Sequence, residues 1–203
     1  MKTVIVTGAS GNLGNAVVKK FLSAGYKVIP VRHSDVNLQD EKATGAYIAD
    51  VIRVNGRIDG ALLLAGGFAM GDLGATDGET LRKMISLNFE TAYNVARPVF
   101  QHMLENGSGR VVLIGAENAL KPEVGKLMMG YAMSKRMLFN LAELLNATAK
   151  GKNVHCSVVA PGTIDTALNR KEMPNADTSG WMKPEQLADI LEVLVSGKGV
   201  QVI

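Results

Sequence analysis

Thr7-Gly8-Ala9-Ser10-Gly11-Asn12-Leu13-Gly14 is the stretch on which the fold turns. It directly follows a β-branched run, residues 3–7, and it opens an amphipathic segment, residues 12–24. That context predicts a strand, a tight turn and the first turn of a helix. Glycine there lets the backbone bend sharply and approach a pyrophosphate. The free N–H groups and positive dipole end of the helix then stabilise the bound charge. Gly8, Ser10, Gly11, Asn12, Leu13 and Gly14 are therefore candidate phosphate ligands of a dinucleotide. A plain glycine-rich strand-to-helix turn would look the same in isolation, so the remainder of the chain has to decide.

Outward from that turn, short apolar runs alternate with helical patterns. Strands are predicted over residues 3–7, 27–31, 36–38, 61–64, 110–114, 154–159 and 200–203. Helices are predicted over 12–24, 40–54, 78–104, 130–150 and 184–196, with Gly25, Gly56, Gly107 and Gly151 as stops. The alternation predicts an α/β protein with a doubly wound, mostly parallel sheet and helices on both faces, the Rossmann arrangement. Neither a repeat nor a linker divides the chain, so residues 1–203 read as one dinucleotide-binding domain with a substrate loop at 163–183. Residues 32–35 leave no room for a helix between the second and third predicted strands, since a parallel crossover needs about a dozen residues. The fold is expected to be shortened there, with the third strand a stub and the adenine side open.

Composition narrows the class further. The chain has 203 residues, 47% hydrophobic and 20% charged, the balance of an ordinary globular protein. Its net charge of +3 is spread out, with no basic run interleaved with aromatics, which argues against nucleic acid as a partner. The single Cys156 can form neither an internal disulfide nor a cysteine metal cluster, and a reducing cytoplasm fits that usage. No apolar run has the length of a signal core or a membrane span. His33, His102 and His155 lack ligand spacing, so no metal is expected.

Two local patterns carry chemistry. After the second strand comes Arg32-His33-Ser34, where a dinucleotide fold discriminates its cofactors. A carboxylate at Arg32 would repel a 2′-phosphate, whereas a guanidinium offers a planar fork of donors to it. NADP(H) is favoured, with NAD(H) left open because Asp35 lies close by. Tyr131 and Lys135 stand four apart near the start of a helix and share one face. An ammonium beside a phenol, whose ordinary pKa is about 10, is expected to favour phenolate and bring the group toward useful acid–base chemistry.

Taken in order, Thr7-Gly8…Gly14, Leu64-Ala65-Gly66-Gly67, Asn88, Tyr131…Lys135 and Pro161-Gly162…Thr166 resemble the short-chain dehydrogenases/reductases from end to end. Within that family the likeness extends to dihydropteridine-reductase-like members and related small bacterial reductases. Leu64-Ala-Gly-Gly-Phe68 and Ile164-Asp-Thr-Ala-Leu-Asn-Arg-Lys-Glu-Met-Pro174 carry it. The resemblance implies that Tyr131 moves the proton, Lys135 binds the nicotinamide ribose and lowers the Tyr131 pKa, and Asn88 organises a water relay to that lysine. It implies that Ala65, Gly66 and Gly67 pass beneath the ribose, and that Asn37 and Leu38 flank the adenine. Pro161, Gly162, Ile164 and the Thr166 hydroxyl would hold the carboxamide. It further implies a small-molecule substrate and a homodimer or homotetramer through the helices carrying Asn88 and Tyr131.

The departures matter as well. The family's carbonyl-polarising serine is replaced, and either Ala116 or Asn118 stands in its place. An electron-poor ring needs less oxyanion help than a simple ketone, so the missing serine suits a dihydropteridine-type acceptor. A general carbonyl or 3-oxoacyl reductase is the alternative within the enzyme class. A non-catalytic NADP(H)-binding sensor is the alternative outside it, encouraged by Ala116 and the shortened fold. Met128, Met129, Met173 and Trp181 are either packing residues or the lining of an apolar slot.

Overall fold

The computed structural model describes residues 1–197; the strand expected at 200–203 lies outside the described residues. Among the described residues, five strands form one parallel sheet: β1 (Thr3–Thr7), β2 (Lys27–Val31), β3 (Gly60–Leu63), β4 (Ser108–Ile114) and β5 (Asn153–Val159), in the order β2-β1-β3-β4-β5. The helices are α1 (Asn12–Ser23), α2 (Glu41–Asn55), α3 (Gly78–Ile85), α4 (Thr91–Glu105), α5 (Pro122–Gly125), α6 (Met129–Thr148), α7 (Ala167–Glu172) and α8 (Pro184–Ser196).

Both faces of the sheet are buried, which is why the strands read as continuous apolar runs. Successive side chains point to opposite faces. Ile5, Ala61, Leu63, Val111 and Leu113 therefore join one core with residues of α2, α4 and α6. Val4, Val6, Leu62, Val112 and Ile114 join the other, with Val17 and Phe21 of α1 and Leu187 and Leu191 of α8. Phe21, Leu187 and Leu191 are wholly buried. Truncating one of them would cost about 2–5 kcal/mol. Asp40 and Asp77 cap α2 and α3 by accepting from the N–H groups of Ala43 and Thr80, as helix starts require.

The expected strand at 36–38 does not form. Residues 32–40 are a chain of turns in which the Arg32 carbonyl accepts from the N–H of Asp35 at 3.0 Å and the Asn37 carbonyl accepts from that of Asp40 at 3.0 Å. Val36 and Leu38 alternate inward because both plug the core against Val31, Ile48 and Val51, and that burial produced the strand-like period. Neither a strand nor a helix stands between β2 and α2, so the chain is shortened there as expected, and α2 makes the crossover from β2 to β3. The shortening lies in the sheet itself, so that β2 is an edge of the described sheet, with Pro30 opposite Val6.

The helix expected at 78–104 is likewise divided. α3 passes into α4 through a π-helical turn, Ser86–Glu90, closed where the Thr91 N–H reaches the Ser86 carbonyl. A π turn widens the helix by one residue and frequently marks a functional position. α5 and α7 lie outside the predicted helices.

Candidate active site

Parallel strands deliver their C-terminal ends to one edge, and every candidate residue lies there. Strand order reverses about β1, whose neighbours are β2 on one side and β3 on the other, and a crevice opens at such a switch point. The Thr7 hydroxyl ties its walls together by accepting from the N–H groups of Leu64 at 3.0 Å and Ala65 at 3.2 Å. Gly8 has φ +64°, and a Cβ there would lie 3.0 Å from the Ala65 nitrogen. A Cβ at Gly14 would fall 2.1 Å from the Gly8 carbonyl oxygen. These two glycines let α1 start directly against the turn.

Gly11 precedes α1, and no side chain caps it; its first turn holds no acidic residue. This contrasts with α2, α3 and α7, whose starts are satisfied by Asp40, Asp77 and Thr166. Ser10, Gly11 and Asn12 are exposed, while Leu13 packs against the core and Gly14 is buried. The free N–H groups of α1 therefore face solvent with the geometry that holds an anion.

Arg32 and Ser34 occupy the exposed turn after β2. The Asp35 carboxylate accepts from the Arg32 backbone N–H at 2.8 Å and stands 3.9 Å from its half-exposed guanidinium, a loose pair that leaves the fork available. The Asn37 side chain accepts from the Gln39 N–H at 3.1 Å, and the Leu38 carbonyl accepts from buried Asn94 at 2.9 Å. The two residues thus fix the turn leading to α2, with the Leu38 side chain in the core.

A second group lies at the ends of β3 and β4. Asn88 sits in the π turn and is 1% exposed. Its Oδ1 accepts from the Gly67 N–H at 3.0 Å, and its Nδ2 donates to the Ser134 hydroxyl at 3.1 Å. Ser134 in turn donates to the Tyr131 carbonyl at 2.8 Å. Lys135 is buried, donates to the Ile114 carbonyl at 2.9 Å, and places Nζ 5.9 Å from the Tyr131 ring centre. A Cβ at Gly66 would lie 2.5 Å from Asn88 Oδ1 and 3.3 Å from Lys135 Nζ, so the 65–67 turn touches both. Three residues the sequence spread over 48 positions thus form one connected set with Gly66 and Gly67. Ser134 and the Ile114 carbonyl complete it; neither carried a signal in the sequence, since one is an ordinary small helix residue and the other a backbone atom.

The electrostatics reverse one expectation. Burial pushes the Tyr131 phenol up to about 12 and pulls the Lys135 ammonium down to about 8. Loss of solvent disfavours both charged forms and outweighs the lysine's pull toward phenolate. Without ligand, Tyr131 is a proton-holding phenol. Its ring packs edge-on against Phe68, 4.9 Å between centres, and Phe68 itself is 58% exposed.

Of the two candidates for the serine position, Ala116 is buried and presents only a methyl group. Asn118 directs its amide to the Met128 sulfur at 3.5 Å. Across the crevice, Pro161 is buried and Gly162 exposed. Ile164 forms an isolated parallel bridge with Met182, in which the Asp165 N–H donates to Met182 at 2.8 Å and the Met182 N–H donates to Thr163 at 3.0 Å. The groups of Ile164 itself point away from that bridge. Its carbonyl accepts from the Asn169 amide at 2.8 Å. The Thr166 hydroxyl caps α7 by accepting from the Asn169 N–H at 3.1 Å and keeps its own proton to donate. Met173 is exposed and Trp181 half-buried on this loop, while Met128 is buried at the start of α6.

The fold and this edge define an NAD(P)-type Rossmann protein. The family model for short chain dehydrogenase matches residues 30–177, and the chain belongs to that family. It is an oxidoreductase of the short-chain dehydrogenase/reductase type. It is 30% identical over 198 residues to an acetoacetyl-CoA reductase of Acinetobacter sp. (strain RA3849), covering 82% of this chain and 76% of the relative. Among solved structures it is similar to 3-ketoacyl-(acyl-carrier-protein) reductase from Brucella melitensis complexed with NADH. There the TM-score is 0.86 at 17% identity, over 99% of this chain and 93% of that one. It is equally similar to ElxO with NADP bound, with a TM-score of 0.86 at 19% identity over 99% and 94%. No helix among the described residues is long and apolar enough to cross a membrane.

Proposed function

We propose that the chain reduces an electron-poor conjugated ring of the dihydropterin type with NADPH, Tyr131 donating the proton. The observation that carries this reading is the pairing of a proton-holding phenol, backed by the exposed ring of Phe68, with a methyl group at Ala116. A ketone gathers charge on oxygen as it is reduced and benefits from a second donor, whereas a ring that delocalises the incoming electron pair depends on it less.

The open start of α1 fits the dinucleotide. The backbone N–H groups of Ser10, Asn12, Leu13 and Gly14 would bind the pyrophosphate, with Gly8 shaping the approach and the Gly11 N–H closing the turn on the Gly8 carbonyl at 3.0 Å. Arg32 and Ser34 would take the 2′-phosphate, and Asn37 and Leu38 would border the adenine. Ala65, Gly66 and Gly67 would support the ribose, whose hydroxyls Lys135 binds. Pro161, Gly162, Ile164 and Thr166 would hold the carboxamide. When bound, the nicotinamide supplies the hydride. Tyr131 then gives its phenolic proton to the acceptor's heteroatom, and the Lys135 ammonium stabilises the phenolate left behind. Asn88 is a positioning residue, holding the Gly67 turn and the Ser134 link to the Tyr131 backbone. Protonated Lys135 also links function to pH. With its pKa near 8 and the phenol near 12, kcat/KM for reduction is expected to be level below about pH 8 and to fall about tenfold per unit above it. Oxidation, which needs phenolate beside the same ammonium, should rise about tenfold per unit up to about pH 8 and be level above it. A reduction rate that climbs from pH 7 to 9 would contradict the assignment.

The Acinetobacter relative favours a second reading, a carbonyl or 3-oxoacyl reductase. As a homodimer or homotetramer, the chain would associate through the helices carrying Asn88 and Tyr131, and the outer side of α6 holds a groove of about 410 Å³ lined by Met133, Met137 and Phe139. Initial rates with NADPH and NADH against quinonoid dihydropterin, ketones, quinones and 3-oxoacyl thioesters test the reading. Dihydropterin reduction with NADPH supports it, and turnover confined to 3-oxoacyl thioesters replaces it with the second.

A further inference from the structure

The segment after β4 carries a carboxylate that the scheme above does not use. Glu117 follows Ala116, opens a single 3₁₀ turn, Glu117–Ala119, and donates its backbone N–H to the Pro161 carbonyl at 3.0 Å. That bond fastens the end of β4 to the turn after β5. The side chain folds over the same turn, so that a Cβ at Gly162 would lie 3.1 Å from Glu117 Oε2. The other oxygen, Oε1, is ion-paired with Lys121, four residues on. The two oxygens therefore have different tasks. Lys121 takes Oε1 and fixes the carboxylate plane, while Oε2 faces the Gly162 turn and no hydrogen-bond donor among the described residues reaches it. The side chain is 44% exposed, on the edge where Tyr131 and Lys135 lie, and it follows directly on the buried methyl of Ala116.

A carboxylate so held accepts hydrogen bonds only, and its strongest partners are N–H donors arranged side by side. We propose that Glu117 determines specificity by binding the N–H edge of a flat, nitrogen-rich acceptor, a ring with adjacent amino and ring N–H groups such as a 2-aminopyrimidinone. This rests on the ring-reduction reading and deepens it: Tyr131 serves the atom being reduced, and Glu117 reads the edge that is not. A thioester carbonyl offers Glu117 no paired N–H edge, so the residue favours nitrogen heterocycles over acyl substrates. Lys121 is a positioning residue that sets the direction of Oε2.

The test compares wild type with Glu117→Gln and Glu117→Ala at saturating NADPH. The acceptors are quinonoid dihydropterin and 9,10-phenanthrenequinone, which is planar but lacks N–H groups. A third measurement is the Kd of pterin itself for the protein–NADP⁺ complex, followed by pterin fluorescence. The expected result is a rise of about tenfold or more in the dihydropterin KM and the pterin Kd for Glu117→Ala, the loss of a charge-assisted hydrogen bond. The kcat, the NADPH affinity and the quinone kcat/KM should stay within about twofold. Lys121→Ala should raise the same KM by a smaller factor. Equal losses for both acceptors, a change confined to NADPH affinity, or no change each overturn the inference. Pterin binding does not depend on turnover. If wild type reduces the quinone but binds no pterin, Glu117's role falls while ring reduction by Tyr131 stands. If pterin binds through Glu117 but no ring is reduced, the reading of the reaction falls instead.

Discussion

Tyr131→Phe is expected to lower turnover by about 10³-fold, within the 10²–10⁴ range that general acid catalysis supplies, while NADPH affinity stays within about twofold. The substitution deletes one oxygen and keeps the ring that meets Phe68 at 4.9 Å, so packing and thermal midpoint should be unaffected. The effect should be large because, among the described residues, the groups named around Tyr131 offer no free proton donor in its place. Ala116 offers a methyl, the Asn118 amide is turned to Met128, and Ser134 is spent on the Tyr131 carbonyl and Asn88. Stopped-flow oxidation of NADPH with the best acceptor measures the chemical step, and fluorescence titration measures binding. Should the variant keep more than a tenth of the rate, the proton comes from elsewhere and the role assigned to Tyr131 is wrong.

Gly14→Ala is expected to be nearly as damaging by a different route. The added Cβ would lie 2.1 Å from the Gly8 carbonyl oxygen and 2.7 Å from the Ala9 Cα, both backbone atoms that no rotamer change can move aside. Either α1 shifts outward, disturbing Val17 and Phe21 in the core, or the phosphate turn deforms. Overpacking of this kind costs about 1–3 kcal/mol, and NADPH affinity should fall about 100-fold. Gly11→Ala supplies the contrast, because the only neighbour of its Cβ is the Gly8 carbonyl oxygen at 3.4 Å. That variant should lose cofactor affinity with little change in thermal midpoint. A Gly14→Ala protein with native stability and native NADPH affinity would show that α1 does not need this close approach.

Much of the frame was legible because burial on both sheet faces writes long apolar runs and because helices announce their ends. Gly56 closes α2, and Gly8 to Gly14 mark the first turn. Residues 36–38 misled because three positions cannot distinguish a strand's period from two inward plugs, Val36 and Leu38, on a turn. The π turn was invisible for a related reason: one extra residue leaves a helical pattern almost unchanged, yet it aims Asn88 at Gly67. At the site, the spacing of Tyr131 and Lys135 was readable but their solvation was not. A four-residue interval says that an ammonium lies near a phenol, and only the surrounding packing says that both have been deprived of water. Glu117 was passed over because its meaning depends on Gly162, 45 positions away.

The place of Pro30 in β2 bears on what the shortened sheet does in a crowded solution. The Lys27 N–H is donated inward to Lys2, so by the alternation of a parallel strand the N–H groups of residues 29 and 31 also face β1, while positions 28 and 30 face outward. Proline at 30 deletes one of those two outward donors and presents a ring in its place. A stray strand, whether from a partly unfolded chain or another copy, finds a single donor where it would need a ladder. The margin of the described sheet at β2 is thereby a poor template for strand addition.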